Sequence, residues 1–64
     1  MTRRDETIKV TKEFGTEYMP ADMNEWYQAQ DLESQLLVMA IITEMAGETE
    51  HARAALQELT ALVS

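Results

Sequence analysis

The stretch Leu36-Leu37-Val38-Met39-Ala40-Ile41-Ile42 is the longest unbroken apolar run in the chain, and it sits in a segment, Met23 to Ala46, without proline or glycine. Seven residues fall far short of the roughly 20 that a helix needs to cross a bilayer. The run therefore belongs to a buried helix of a water-soluble fold. A helix that is apolar around most of its circumference has to be covered on every side.

Downstream of the run, Gly47 supplies a C-terminal stop, and the sequence predicts a second helix from about Thr49 to about Val63. Its apolar residues Ala52, Ala55, Leu56, Leu59, Leu62 and Val63 follow helical spacing and form one stripe, with Arg53, Gln57 and Glu58 outside it. After a reversal at Gly47 this stripe covers one side of Leu36–Ile42. The opposite side stays bare in a single copy, and pairing of two such hairpins would give a four-helix arrangement.

Upstream, Asp22 with Glu25 three residues on has the form of a capping box, so the first helix is expected to run from Met23 to Ala46, about 36 Å at 1.5 Å per residue. Residues 15–21 form a connector around Pro20. In Thr7-Ile8-Lys9-Val10-Thr11-Lys12-Glu13-Phe14 polar and apolar residues alternate, β-branched residues dominate the start, and Gly15 follows. That pattern predicts a half-buried strand, or a flexible arm where no second strand is available. The expected fold is mainly α. It has an N-terminal strand or arm with its connector in residues 1–21 and, in residues 22–64, a helical hairpin of a long helix, the Gly47 turn and a shorter amphipathic helix. Oligomerisation or a partner completes it.

Size leads to the same expectation. A chain of 64 residues stands near the lower limit for one core, and without cysteine no disulfide reinforces it. One histidine and no thiolate leave no closed structural zinc site within one chain. Association remains. With 45% hydrophobic residues the chain is too apolar to be wholly disordered. No apolar stretch follows Arg3 and Arg4, so no secretory signal is expected and the cytoplasm is the expected location.

Charge is unevenly placed. Residues 1–12 carry four cations against two acids, a balance of +2, whereas residues 13–64 carry ten acids against Arg53 alone, a balance of −9. Such a body repels phosphate backbones, so nucleic acid is not an expected partner. It complements a basic cleft, as an acidic inhibitor does.

Catalysis is not expected. Ser34 and Ser64 lack a glycine-framed turn, His51 is the only imidazole, and the two glycines are too far apart for a phosphate-cradling loop. Glu48 and His51 have the Glu-x-x-His spacing and resemble the metal-binding helix of ferritin-like di-iron proteins. That resemblance implies a site built across a dimer, with Glu44 or Glu17 as further ligands. The expected state is nevertheless no metal and no cofactor, with His51 exposed in a first helical turn. An alternating basic strand followed by two helices resembles the ribbon-helix-helix DNA-binding family. By that resemblance Arg3, Arg4, Thr7, Lys9 and Thr11 would meet the DNA. The function expected first is a small acidic, non-enzymatic protein acting through protein–protein contacts, as a regulatory, inhibitory or structural subunit. Trp26, Tyr27, Leu37, Met39 and Ile41 are its candidate interface.

Overall fold

Residues 3–63 are described by the computed structural model, Arg3 through its backbone alone. Four helices order them: α1 (Arg3–Tyr18), α2 (Ala21–Gln28), α3 (Leu32–Met45) and α4 (Thr49–Val63). The mainly α expectation holds, and no strand occurs among the described residues. The radius of gyration, 11.0 Å, is close to the ~10.7 Å expected of a folded chain of this length. The four helices therefore close into one globule rather than an extended hairpin with a loose arm.

The segment expected as a strand or arm is the middle of α1. Its threonines carry the reason. Thr11 is fully buried although polar, because its hydroxyl donates to the carbonyls of Thr7 (3.1 Å) and Ile8 (2.9 Å) on the preceding turn. A helix can thus hide a threonine that a strand reading turns toward water. With Thr11 counted as an inward residue, Thr7, Thr11 and Phe14 follow helical spacing. Asp5 and Glu6 lie in the first turn, where acids suit the helix dipole.

Gly15 does not terminate an element; it lies inside α1, one turn before its end. A Cβ at this position would sit 2.7 Å from Tyr27 Cε2 and 2.7 Å from Asn24 Oδ1. The missing side chain is what lets the Tyr27 ring rest directly on the α1 backbone. Tyr27 has no exposed surface, and with Phe14 and Met19 it forms a small core onto which Val38, Met39 and Ile42 of α3 pack. Phe14 lies between Tyr18 (ring centroids 4.8 Å) and Tyr27 (6.1 Å).

The single helix expected over 23–46 is two helices, broken at residues 29–31. Neither proline nor glycine makes the break. Gln30 N–H folds back onto the Tyr27 carbonyl, and Asp31 then adopts an extended conformation and caps α3, its carboxylate accepting from Ser34 N–H at 2.9 Å. Both hydrogen bonds from Ser34 hold the Asp31 carboxyl below its ordinary range. The amide side chains of Gln35 and Gln30 donate to the Tyr27 and Trp26 carbonyls, satisfying the end of α2. Pro20, not Asp22, stands at the N-cap of α2, and the Asp22 carboxylate accepts from the adjacent Met23 N–H.

At the other end of α3 the expected Gly47 stop is present. Gly47 has φ +83°, Gly47 N–H donates to the Glu44 carbonyl and Glu48 N–H to the Thr43 carbonyl. These two bonds form the Schellman arrangement, which ends α3 and sends the chain back along it. α4 spans the predicted residues and packs along α3. The residues buried on these two helices are mostly small: Ala40, Thr43, Ala52 and Ala55, with Gln35 and Leu36 the larger ones. Thr43 repeats the device of Thr11, donating to the Met39 carbonyl at 2.8 Å.

Two measurements test this packing. Gly15→Ala should lower stability by roughly 1–3 kcal/mol in a thermal or urea melt, although alanine is the better helix former by about 1 kcal/mol, because the overpacking cost is larger. Burial pushes the Tyr27 phenol up to about 12, and its hydroxyl has no hydrogen-bond partner among the described residues. The raised value favours the protonated fold, so this contribution is complete below the unfolded value near 10 and is lost as pH rises toward 12. Tyr27→Phe should remove that alkaline loss, roughly 3 kcal/mol, and be neutral or stabilising at pH 7 because an unpaired buried hydroxyl disappears. A Tyr27→Phe melt that falls between pH 10 and 12 as steeply as wild type contradicts this.

Candidate interaction surface

Among the described residues, helix α3 is flanked on two sides. α4 lies along one flank, and the end of α1 with α2 lies along another, where Val38, Met39 and Ile42 are covered. Leu37 and Ile41 follow each other at i, i+4 on the flank that neither reaches, and both remain about half exposed, at 48% and 51%. Met45, one turn further, is 82% exposed.

The same flank continues onto α4. On the α1 side of the hairpin, Leu36 and Met39 of α3 and Ala54, Ala55 and Glu58 of α4 line a common groove. Leu37 and Leu56 each stand one residue, about 100°, beyond a groove residue, so in an antiparallel pair both turn away from α1. Counted from Gly47, they lie ten residues before and nine after it, at nearly the same height. Leu56 and Val63 are exposed, and Leu59 is half-buried. The outer face of the α3–α4 hairpin thus exposes Leu37, Ile41, Leu56 and Val63, with Arg53 one turn before Leu56 and Glu33 and Glu44 between Leu37 and α4.

The groove on the opposite side encloses about 600 Å³ between α1 and α4, with α3 as its floor. Val10, Leu36, Met39, Ala54 and Ala55 give it an apolar interior, and Glu6 and Glu58 stand on its rim. Thr7 donates to Glu58 at 3.0 Å and ties α1 to α4. A smaller cleft of about 180 Å³ shares Val10, Met39 and His51 with the groove and adds Glu13, Glu17 and Glu48. Among the described side chains no lysine or arginine lines either one.

The candidate residues from the sequence separate accordingly. Trp26, Leu37 and Ile41 are exposed. Tyr27 is inside the core, and Met39 packs against that core while lining the groove. Neither belongs to the outer patch. Leu56 and Val63, grouped by sequence with the stripe that covers α3, lie at its edge and add to the patch. The missed signal was the width of the stripe, which exceeds what one neighbouring helix can cover.

Glu48 and His51 come within 3.9 Å (Oε1 to Nδ1) at the start of α4, both on the surface side of the cleft. Glu17 lines the same cleft and Glu44 does not. No three acidic or imidazole side chains among the described residues converge closely enough to hold an ion. Of the residues expected to meet DNA, Arg4 and Lys9 are exposed on α1, Thr7 is bonded to Glu58, and Thr11 is buried. The side chain of Arg3 lies outside the described residues. The strand that would enter a groove is a helix here, so the ribbon-helix-helix resemblance loses its main element. Among the described residues no helix is long and apolar enough to cross a membrane. No protein-family model matches the sequence, and neither curated proteins nor solved structures give a match.

Proposed function

We propose that the chain is a small acidic, non-enzymatic protein that works through protein–protein contacts, and that its outer α3–α4 face is where a second copy docks. The observation that carries this reading is the exposure of Leu37, Ile41 and Leu56 on the flank of the hairpin that α1 and α2 do not reach. Two such faces laid together bring four helices side by side and close the one flank of α3 that the chain does not cover itself.

Magnitudes set how strong that pairing is. Completing the burial of a half-exposed leucine, isoleucine or valine returns roughly 1 kcal/mol, so four such side chains on each of two copies return about 8 kcal/mol. Association costs at least about 4 kcal/mol in lost freedom. A charge of −7 on each copy opposes the approach further. Pairing is therefore expected to depend on concentration, with a midpoint near the millimolar range. Reversible assembly of this strength suits a regulatory or structural subunit, whose state follows its abundance.

Sedimentation over a range of concentrations should show a monomer–dimer equilibrium that shifts toward dimer as salt screens the repulsion between copies. Ile41→Asp should hold the chain as a monomer at every concentration while leaving its helix content, because position 41 faces solvent within one copy and an unpaired charge would be buried in the pair. A wild-type chain that stays monomeric at millimolar concentration and high salt would overturn the dimer.

A further inference from the structure

The groove between α1 and α4 lies on the side of the hairpin away from the dimer face, and that reading does not account for it. Its floor is apolar, formed by Leu36 and Met39 of α3, and its α4 wall is made low by Ala54 and Ala55. Helices pack at 8–10 Å only where small side chains let them approach, and two consecutive alanines leave space beside α1 that the protein's own side chains do not fill. At about 600 Å³ the opening takes several side chains at once rather than a single one.

The rim has one sign. Glu6 and Glu58 border the groove, Glu13, Glu17 and Glu48 border the cleft that continues it, and among the described side chains no lysine or arginine lines either. Arg4, near Thr7 and Glu58, is beyond one end. A surface with an apolar floor and carboxylates along its margins has its complement in a helix that carries leucine-like anchors at i, i+3, i+4 and i+7 and lysines or arginines on both sides of them. The groove runs along about two turns of α1 and of α4, a length that receives the two turns of a third helix bearing such anchors.

We propose that the α1–α4 groove binds a basic amphipathic helix presented by another protein, with Met39, Leu36 and Val10 receiving its apolar anchors and Glu6, Glu13 and Glu17 pairing with its flanking cations. The acidic body then has a defined role. It steers a cationic segment to the groove, and long-range attraction raises the encounter rate while the apolar floor sets the lifetime. The two faces act independently, so a dimer would present two grooves on opposite sides.

The probe is a synthetic peptide of about 15 residues made of leucine and lysine at helical spacing, short enough to be only marginally helical when free. Fluorescence anisotropy should show saturable binding that weakens as salt rises, the opposite of the salt response of dimerisation, and circular dichroism should show a gain of helicity in the mixture. Ala54→Arg, at an exposed groove position, should weaken binding by about tenfold, and the pair Glu13→Lys with Glu17→Lys by about fivefold. Glu33→Lys, on the other flank, should leave it within about twofold. Amide shifts on titrating the native chain should centre on Val10, Met39 and Ala54, a readout that needs no variant. The same leucine and lysine residues in an order that forms no apolar face should bind at least about tenfold more weakly. Equal binding of the reordered peptide would overturn the proposal, as would indifference to Ala54→Arg or shifts centred on Leu37 and Leu56. Binding that survives in monomeric Ile41→Asp separates the groove from the dimer face, so either can fail alone.

Discussion

The fold depends on one constraint: α3 carries apolar side chains around nearly its whole circumference, and the chain has only a limited number of elements with which to cover them. α4 covers one flank through small residues, Ala52 and Ala55. The pair α1–α2 covers a second through the aromatic core of Phe14 and Tyr27, and the third is left to solvent. Each of the other helices takes its position from the flank of α3 that it closes. Because the three flanks differ in chemistry, the molecule has a definite handedness of use, with an acidic groove on one side and an apolar patch on the other.

What makes this arrangement specific is a set of local polar devices rather than more apolar burial. Asp31 restarts the chain as a new helix by capping it, and Gln35 and Gln30 satisfy the carbonyls that the break exposes. Gly47 reverses the chain through its left-handed conformation. Gly15 removes a Cβ so that a tyrosine ring can seat on a helix backbone. Each of these turns a generic apolar pairing into one register. The buried threonines Thr11 and Thr43 belong to the same set, since each meets its own hydrogen-bonding need within its helix and asks nothing of the packing.

These devices also explain which parts of the fold the sequence made legible. The second half was readable because Gly47 followed by a stripe at helical spacing has one economical solution, and α4 spans the residues the pattern marks. The N-terminal half was not, since Thr7 to Phe14 fits both a period of two and a period of 3.6 once a buried threonine is allowed. The break at residues 29–31 was hidden because it rests on a cap, Asp31 with Ser34, rather than on proline or glycine. For the surface, Leu37 and Ile41 followed from the all-round apolarity of their segment. Tyr27 did not, because only the absence of a side chain at Gly15, a residue remote in sequence, makes room for its ring. The groove could not be read at all without knowing that α1 is a helix.

The uncovered flank of α3 gives the chain its proposed use, and the claim that a second copy closes it is the one on which the account stands. The most direct measurement mixes isotope-labelled and unlabelled chains in equal amounts and records nuclear Overhauser contacts filtered to pass only between a labelled and an unlabelled copy. The account predicts intermolecular cross-peaks from the methyl groups of Leu37, Ile41 and Leu56, with none from the core residues Leu36 and Ala55. A folded chain at the same concentration that shows no intermolecular cross-peaks, or shows them only from the α1–α4 groove, would contradict it.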